Sequence, residues 1–187
     1  MTPSQVRTIR VSATRVAETE MEVIGHLVDE RPTGTGVDWL EDGHGVVFHD
    51  MTLSIRVRHP ALVITEVGGT MAAHPYTLCP DALPPLEALV GLSVARGFMR
   101  AVNERFGRQR GCAHLTSLVQ AMGPVVRQAA GVAFHDLATA PPAQRDRWVV
   151  DSCQAWRQDG PLHTRLQAGD IDGLRAFSAR SRRQPPG

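Results

Sequence analysis

The sequence predicts an α+β fold, an antiparallel meander of three to four strands followed by helices packed on one face of the sheet. Two observations carry this. Apolar and polar residues alternate through much of the first 70 positions, and beyond residue 84 apolar residues recur at three- and four-residue spacing. At 187 residues the chain suits one domain, expected over 1–180, with the Arg- and Pro-rich residues 181–187 as a disordered tail.

In the first segment Ile9, Val11 and Ala13 alternate with polar residues, and Met21 and Val23 repeat the pattern with Ile24 one step out of phase. Two strands joined around residues 17–20 follow. Residues 31–45 contain Pro32 and four glycines, and are expected as a surface loop long enough to act as a lid. Met51, Leu53, Ile55 and Val57 then share one face of a third strand, His59 and Pro60 make a turn, and residues 62–67 return. Pro84 and Pro85 suit the first turn of a helix. The apolar positions Leu86, Leu89, Val90, Val94, Phe98, Val102 and Phe106 predict that helix as far as Gly107. A second is expected from Cys112, kinked or divided at Gly123-Pro124, a third over 143–157 and a fourth over 169–180.

Charge narrows the function. The 20 basic residues, all Arg, are balanced by 19 acidic ones, so no net field favours nucleic acid. No apolar run approaches the roughly 18 residues of a membrane span, and the start of the chain lacks the apolar core of a signal peptide. A cytoplasmic protein without nucleic-acid or membrane partners is expected, with a homo-oligomer left open. Three cysteines cannot all pair within one chain, so metal binding, nucleophilic chemistry or packing remain for them.

Reactive side chains concentrate in three places: His49-Asp50 entering the third strand, Cys79 in the HPYTLCP loop, and Cys112 with His114 in RGCAHL. A thiol at a helix start lies near unpaired N–H groups that favour thiolate. Imidazole with thiolates selects zinc or iron over magnesium or calcium. His49, Cys79 and Cys112 are therefore candidate ligands of one zinc or iron ion. Asp50 would complete the coordination or orient His49, and His74 or Cys153 are further candidates. Burial as small apolar residues is the competing role for each cysteine.

The stretches FHDMTLSIRV, GCAHL and DSCQAWRQDG resemble a widespread, largely uncharacterised bacterial family carrying HDM, GCTHL and DSCHAL-type motifs, with Ala113 and Gln154 departing from the usual Thr and His. The likeness spans residues 5–165 and implies common ancestry without an activity. The order of His49, Asp50, Met51, Cys79 and Cys112 is also similar to that of iron-sulfur cluster assembly scaffolds. This second likeness implies a metal centre of His49, Cys79 and Cys112, with Asp50 or His114 as fourth ligand. An imidazole in place of a scaffold thiolate favours a mononuclear ion.

Three functions are open. The first is a metal-dependent enzyme of bacterial small-molecule metabolism, a lyase, cyclase or hydrolase. It would polarise a carbonyl or use metal-bound water on a small organic substrate, with His114 and Asp50 as catalytic groups. The second is a metal or sulfur carrier related to the scaffolds. The third is a metal-free hydrolase or transferase with Cys112 as nucleophile. There His49 is the expected base, because residues two apart in a helix point in different directions.

Overall fold

The computed structural model describes residues 3–32, 46–95, 97–134, 141 and 149–177. Four strands, β1 (Val6–Arg15), β2 (Glu20–Arg31), β3 (Val46–Arg58) and β4 (Val63–Ala73), form one antiparallel sheet in the order β1-β2-β3-β4. The two-residue period decides its faces. Met21, Val23 and Leu27 on β2 and Met51, Leu53, Ile55 and Val57 on β3 are all buried. The opposite face is wet: Arg56 lies within 3.9 Å of Glu20, 3.8 Å of Glu22 and 3.4 Å of Glu66. The out-of-phase Ile24 belongs to this wet face and stays exposed.

Two helices follow, α1 (Phe98–Phe106) and α2 (Ala113–Phe134); α2 covers the apolar face, and α1 packs against α2. Leu115, Leu118, Val119, Met122 and Val126 of α2 are buried, each worth roughly 1.5–3 kcal/mol relative to exposure. The helix packs across β1 and β2. It comes so close that a Cβ on Gly25 would lie 2.9 Å from Leu118 Cδ1 and 3.0 Å from Met122 Sδ. Pro124 sits inside α2 without dividing it, and Gly123 receives the Phe98 ring, 2.9 Å from where its Cβ would stand.

The helix expected from Pro84 to Gly107 is a different structure. Pro84–Leu89 is a 3-10 turn, Gly91 and Gly97 take positive φ of 84° and 76°, and only Phe98–Phe106 is α-helical. Between them Gly91, Leu92 and Val94 bond edgewise to Leu62 and Ile64. The apolar spacing was real, since Leu86, Leu89, Leu92 and Val94 are buried, but the left-handed glycines turn the chain back along β4.

The chain divides into two compact units, Met1–Phe134 and His135–Gly187, so the span 1–180 expected as one domain falls across both. In the second unit residues 149–157 form turns and a short 3-10 turn, Gln154–Trp156, rather than the later part of a helix over 143–157. The region after Gly160 holds two helices, α3 (Pro161–Ala168) and α4 (Ile171–Ala176), separated at Gly169 with φ 68°. Asp170 caps α4 by accepting the Gly173 N–H at 2.8 Å and pairs with Arg165. Of the lid expected over residues 31–45, Arg31 still belongs to β2 and residues 33–45 lie outside the described residues, as do the 143–148 part of the third helix, residues 178–180 of the fourth and the tail 181–187.

Candidate metal centre

The inward rows of three strands end in polar residues at one level. Following Met21, Val23, Gly25 and Leu27, the next inward position of β2 is Asp29. On β3 the row Val57, Ile55, Leu53, Met51 ends at His49. Strand register places Arg7 of β1 opposite Asp29, and Asp29 opposite His49. The side chains use this alignment. Arg7 donates from Nε to Asp29 Oδ1 at 2.6 Å and from Nη2 to Oδ2 at 2.7 Å, and His49 Nδ1 meets the same Oδ2 at 2.9 Å.

The fourth member comes from α2. His114, in its first turn, stacks on His49 with ring centroids 3.6 Å apart and places Nε2 3.6 Å from Asp29 Oδ2. Cys112 stands just before the helix, its carbonyl accepting the Thr116 N–H, and its Sγ lies 3.6 Å from His114 Nδ1. The helical direction rule that separates Cys112 from His114 does not apply, because Cys112 is outside the helix proper. Donor atoms of Asp29, His49 and His114 all lie within 4.8 Å of one another, the only such group of His, Cys, Asp or Glu found among the described residues.

Electrostatics fix the charge states. Burial pushes the Asp29 carboxyl up, but the Arg7 hydrogen bonds and charge, with the His49 bond, more than offset it and leave it below the ordinary carboxylate range. His49 is lowered by burial, which outweighs its bond to Asp29. His114 is lowered by burial, then by positive charge at His49 and Arg7. The resting arrangement is an ionised carboxylate, a guanidinium held charged chiefly by its bond to Asp29, and two neutral imidazoles.

A stability prediction follows. Both histidines bind protons less readily when folded than at their unfolded value of about 6.5, so the unfolded chain takes up more protons as pH falls. Stability of the metal-free protein should be flat above about pH 7 and decline below about 6.5 through the lowered folded values, by up to about 1.4 kcal/mol per pH unit for each group. Urea midpoints at pH 7.5 and 5.5 check it, and equal midpoints would sink it.

The remaining sequence candidates lie elsewhere. Asp50 follows His49 and so faces the opposite side of the sheet, where its Oδ1 meets His26 Nε2 at 2.7 Å. Cys79 opens the 3-10 turn Cys79–Ala82 after β4 and is not a member of the buried group. His74 Nδ1 donates to the Tyr76 carbonyl at 2.9 Å. Cys153, in the second unit, is exposed, its thiol lowered chiefly by hydrogen bonds from the Trp156 and Ala155 backbone. Sequence reasoning missed Asp29 and Arg7. The available signal was the two-residue period, which carries past Leu27 onto Asp29.

A sequence profile matching residues 5–128 now decides the family. The chain belongs to the family described as Protein of unknown function (DUF2889). Neither a curated protein nor a solved structure matches it, and the likeness to iron-sulfur scaffolds rests on the sequence pattern alone. The DUF2889 region contains Arg7, Asp29, His49, Cys112 and His114, whereas Cys153 lies beyond it. No helix among the described residues is long and apolar enough to cross a membrane.

Proposed function

We propose that this DUF2889 protein is a metal-dependent enzyme acting on a small organic substrate, with Asp29, His49 and His114 holding one zinc or non-haem iron ion. The observation that carries this is the gathering of two imidazoles and a carboxylate within 4.8 Å, with Asp29 and His49 buried where the apolar rows of β2 and β3 would otherwise continue and His114 partly exposed beside them. Two nitrogens and one oxygen suit zinc or ferrous iron, and three protein ligands leave a position for substrate. The ion would supply Lewis acidity toward a carbonyl oxygen. Arg7 keeps Asp29 ionised and oriented, and the lowered pKa values keep both imidazoles free to donate lone pairs.

Protein purified without chelator or affinity resin should carry about one ion per chain. His49→Ala, His114→Ala and Asp29→Asn should each empty the site, whereas Cys79→Ser and Asp50→Asn should leave it loaded. Occupancy below about a tenth of an ion per chain, far from the tight retention of a built site, would overturn the reading.

One observation favours a second reading. Arg7 already neutralises Asp29, and Cys112, His114 and Asp29 follow one another at 3.6 Å and 3.6 Å. A metal-free hydrolase or transferase would use Cys112 as nucleophile and His114 as base, with Asp29 orienting the ring. In that case Cys112→Ser abolishes activity in protein shown to hold no metal.

A further inference from the structure

The connection from α1 to α2 forms a second polar feature, which the buried centre does not use. A groove of about 490 Å³ is lined by Arg100, Asn103, Glu104, Arg108 and Arg110. Glu104, its one acidic residue, already accepts from Arg100 Nε at 2.7 Å, and no acidic partner meets Arg108 or Arg110 among the described residues. Two guanidiniums therefore line the groove with no acidic partner among the described residues.

We propose that this groove binds a phosphoryl group carried by the small-molecule substrate of the buried centre. The attribution to substrate rests on the enzyme reading above; the anion site itself does not. The turn is built to hold its arginines outward. A Cβ on Gly107 would stand 2.6 Å from the Asn103 carbonyl oxygen, and one on Gly111 2.6 Å from that of Phe106, so both glycines press the backbone against α1. Arg108, between them, occupies the left-handed region at φ 59°, where glycine would rest without strain. An arginine at a position that suits glycine points to a use for its guanidinium.

Chemistry selects the ligand. A single carboxylate is satisfied by one guanidinium fork, whereas a phosphoryl group offers three or more oxygens and up to two charges to several forks at once. Connectivity sets the location. Arg110 precedes Cys112 by two residues, so their Cα atoms lie within about 7 Å, and Cys112 touches His114. A phosphoryl group anchored here sits on the turn that leads into Cys112 and His114, and this shared turn is what links the groove to the centre.

Calorimetric titration of pyrophosphate into the full-length, metal-free protein tests this. Saturable binding is expected, weakened about tenfold or more by Arg108→Gly and by Arg110→Gln, as loss of a charged hydrogen-bonding pair implies. Arg10→Gln, on the wet face of β1, should bind as the parent does. Arg108→Gly suits the left-handed backbone and should keep the thermal midpoint, so its lost affinity cannot be assigned to unfolding. Absence of saturable binding, parental affinity in both groove variants, or equal weakening by Arg10→Gln would overturn the proposal. So would tighter binding of a short single-stranded DNA, which would mark a nucleic-acid surface. Repeating the titration with His49→Ala separates the two readings, because pyrophosphate binding should survive there even if metal analysis removes the buried centre.

Discussion

Asp29→Ala is expected to produce the largest loss of stability among single changes at the centre, roughly 2–4 kcal/mol in the metal-free protein. Asp29 is 1% exposed and is the shared acceptor for Arg7 and His49. Removing it leaves a guanidinium and an imidazole with no partner in that pocket. Arg7 is about a third exposed and recovers part of its hydration, which keeps the figure below that of a fully enclosed pair. Replacing both partners with apolar residues, Arg7→Met with Asp29→Leu, should restore much of the stability while leaving the protein unable to retain metal. Urea unfolding of the three proteins reads the comparison, and a loss under about 0.5 kcal/mol in the single variant would show that the pairing contributes little.

Gly111→Ala is the second. Its Cβ would fall 2.5 Å from Phe106 Cε2 and 2.6 Å from the Phe106 carbonyl oxygen, and backbone cannot yield as a side-chain tip can. The least costly response is to push the 3-10 turn Arg108–Arg110 and the start of α2 outward, which carries Cys112 and His114 away from His49. A destabilisation of roughly 1–3 kcal/mol is expected, together with lost metal retention. Gly131→Ala supplies the control, since a Cβ there meets nothing within 4 Å. Equal metal content in the two variants would count against the placement of His114 by the turn.

The sheet was legible because a strand with one buried face writes its period directly into sequence, and Met51 to Val57 are buried as that period required. The segment 84–106 was less legible. Leu86, Leu89, Val94 and Phe98 have helical spacing, but Gly91 and Gly97 hold left-handed backbone that burial patterns do not reveal. Gly123-Pro124 carried the opposite risk, since α2 runs through it in one piece and Gly123 seats the Phe98 ring.

At the centre, His49 and His114 were recognisable as reactive types near element boundaries. Asp29 was hidden because an acidic residue late in a strand ordinarily faces water. Asp50 attracted attention by adjacency, yet adjacent strand residues face apart, and the carboxylate that meets His49 comes from a neighbouring strand. Cys112 was correctly placed at a helix start. Its contact with His114 depended on lying one residue before the helix, a boundary that sequence does not resolve.

Arg7 belongs to β1, which among the described residues has a bonded neighbour strand on one side only. Border strands open more readily than interior ones, so the anchor of the reactive carboxylate rides on a segment that local fluctuation can peel away. Each such opening would free Asp29 from its guanidinium while β2, β3 and α2 stay assembled, coupling the charge balance of the interior to the fraying of a sheet margin. Amide exchange at Thr8 and Arg10 would then follow the same clock as solvent entry at His49.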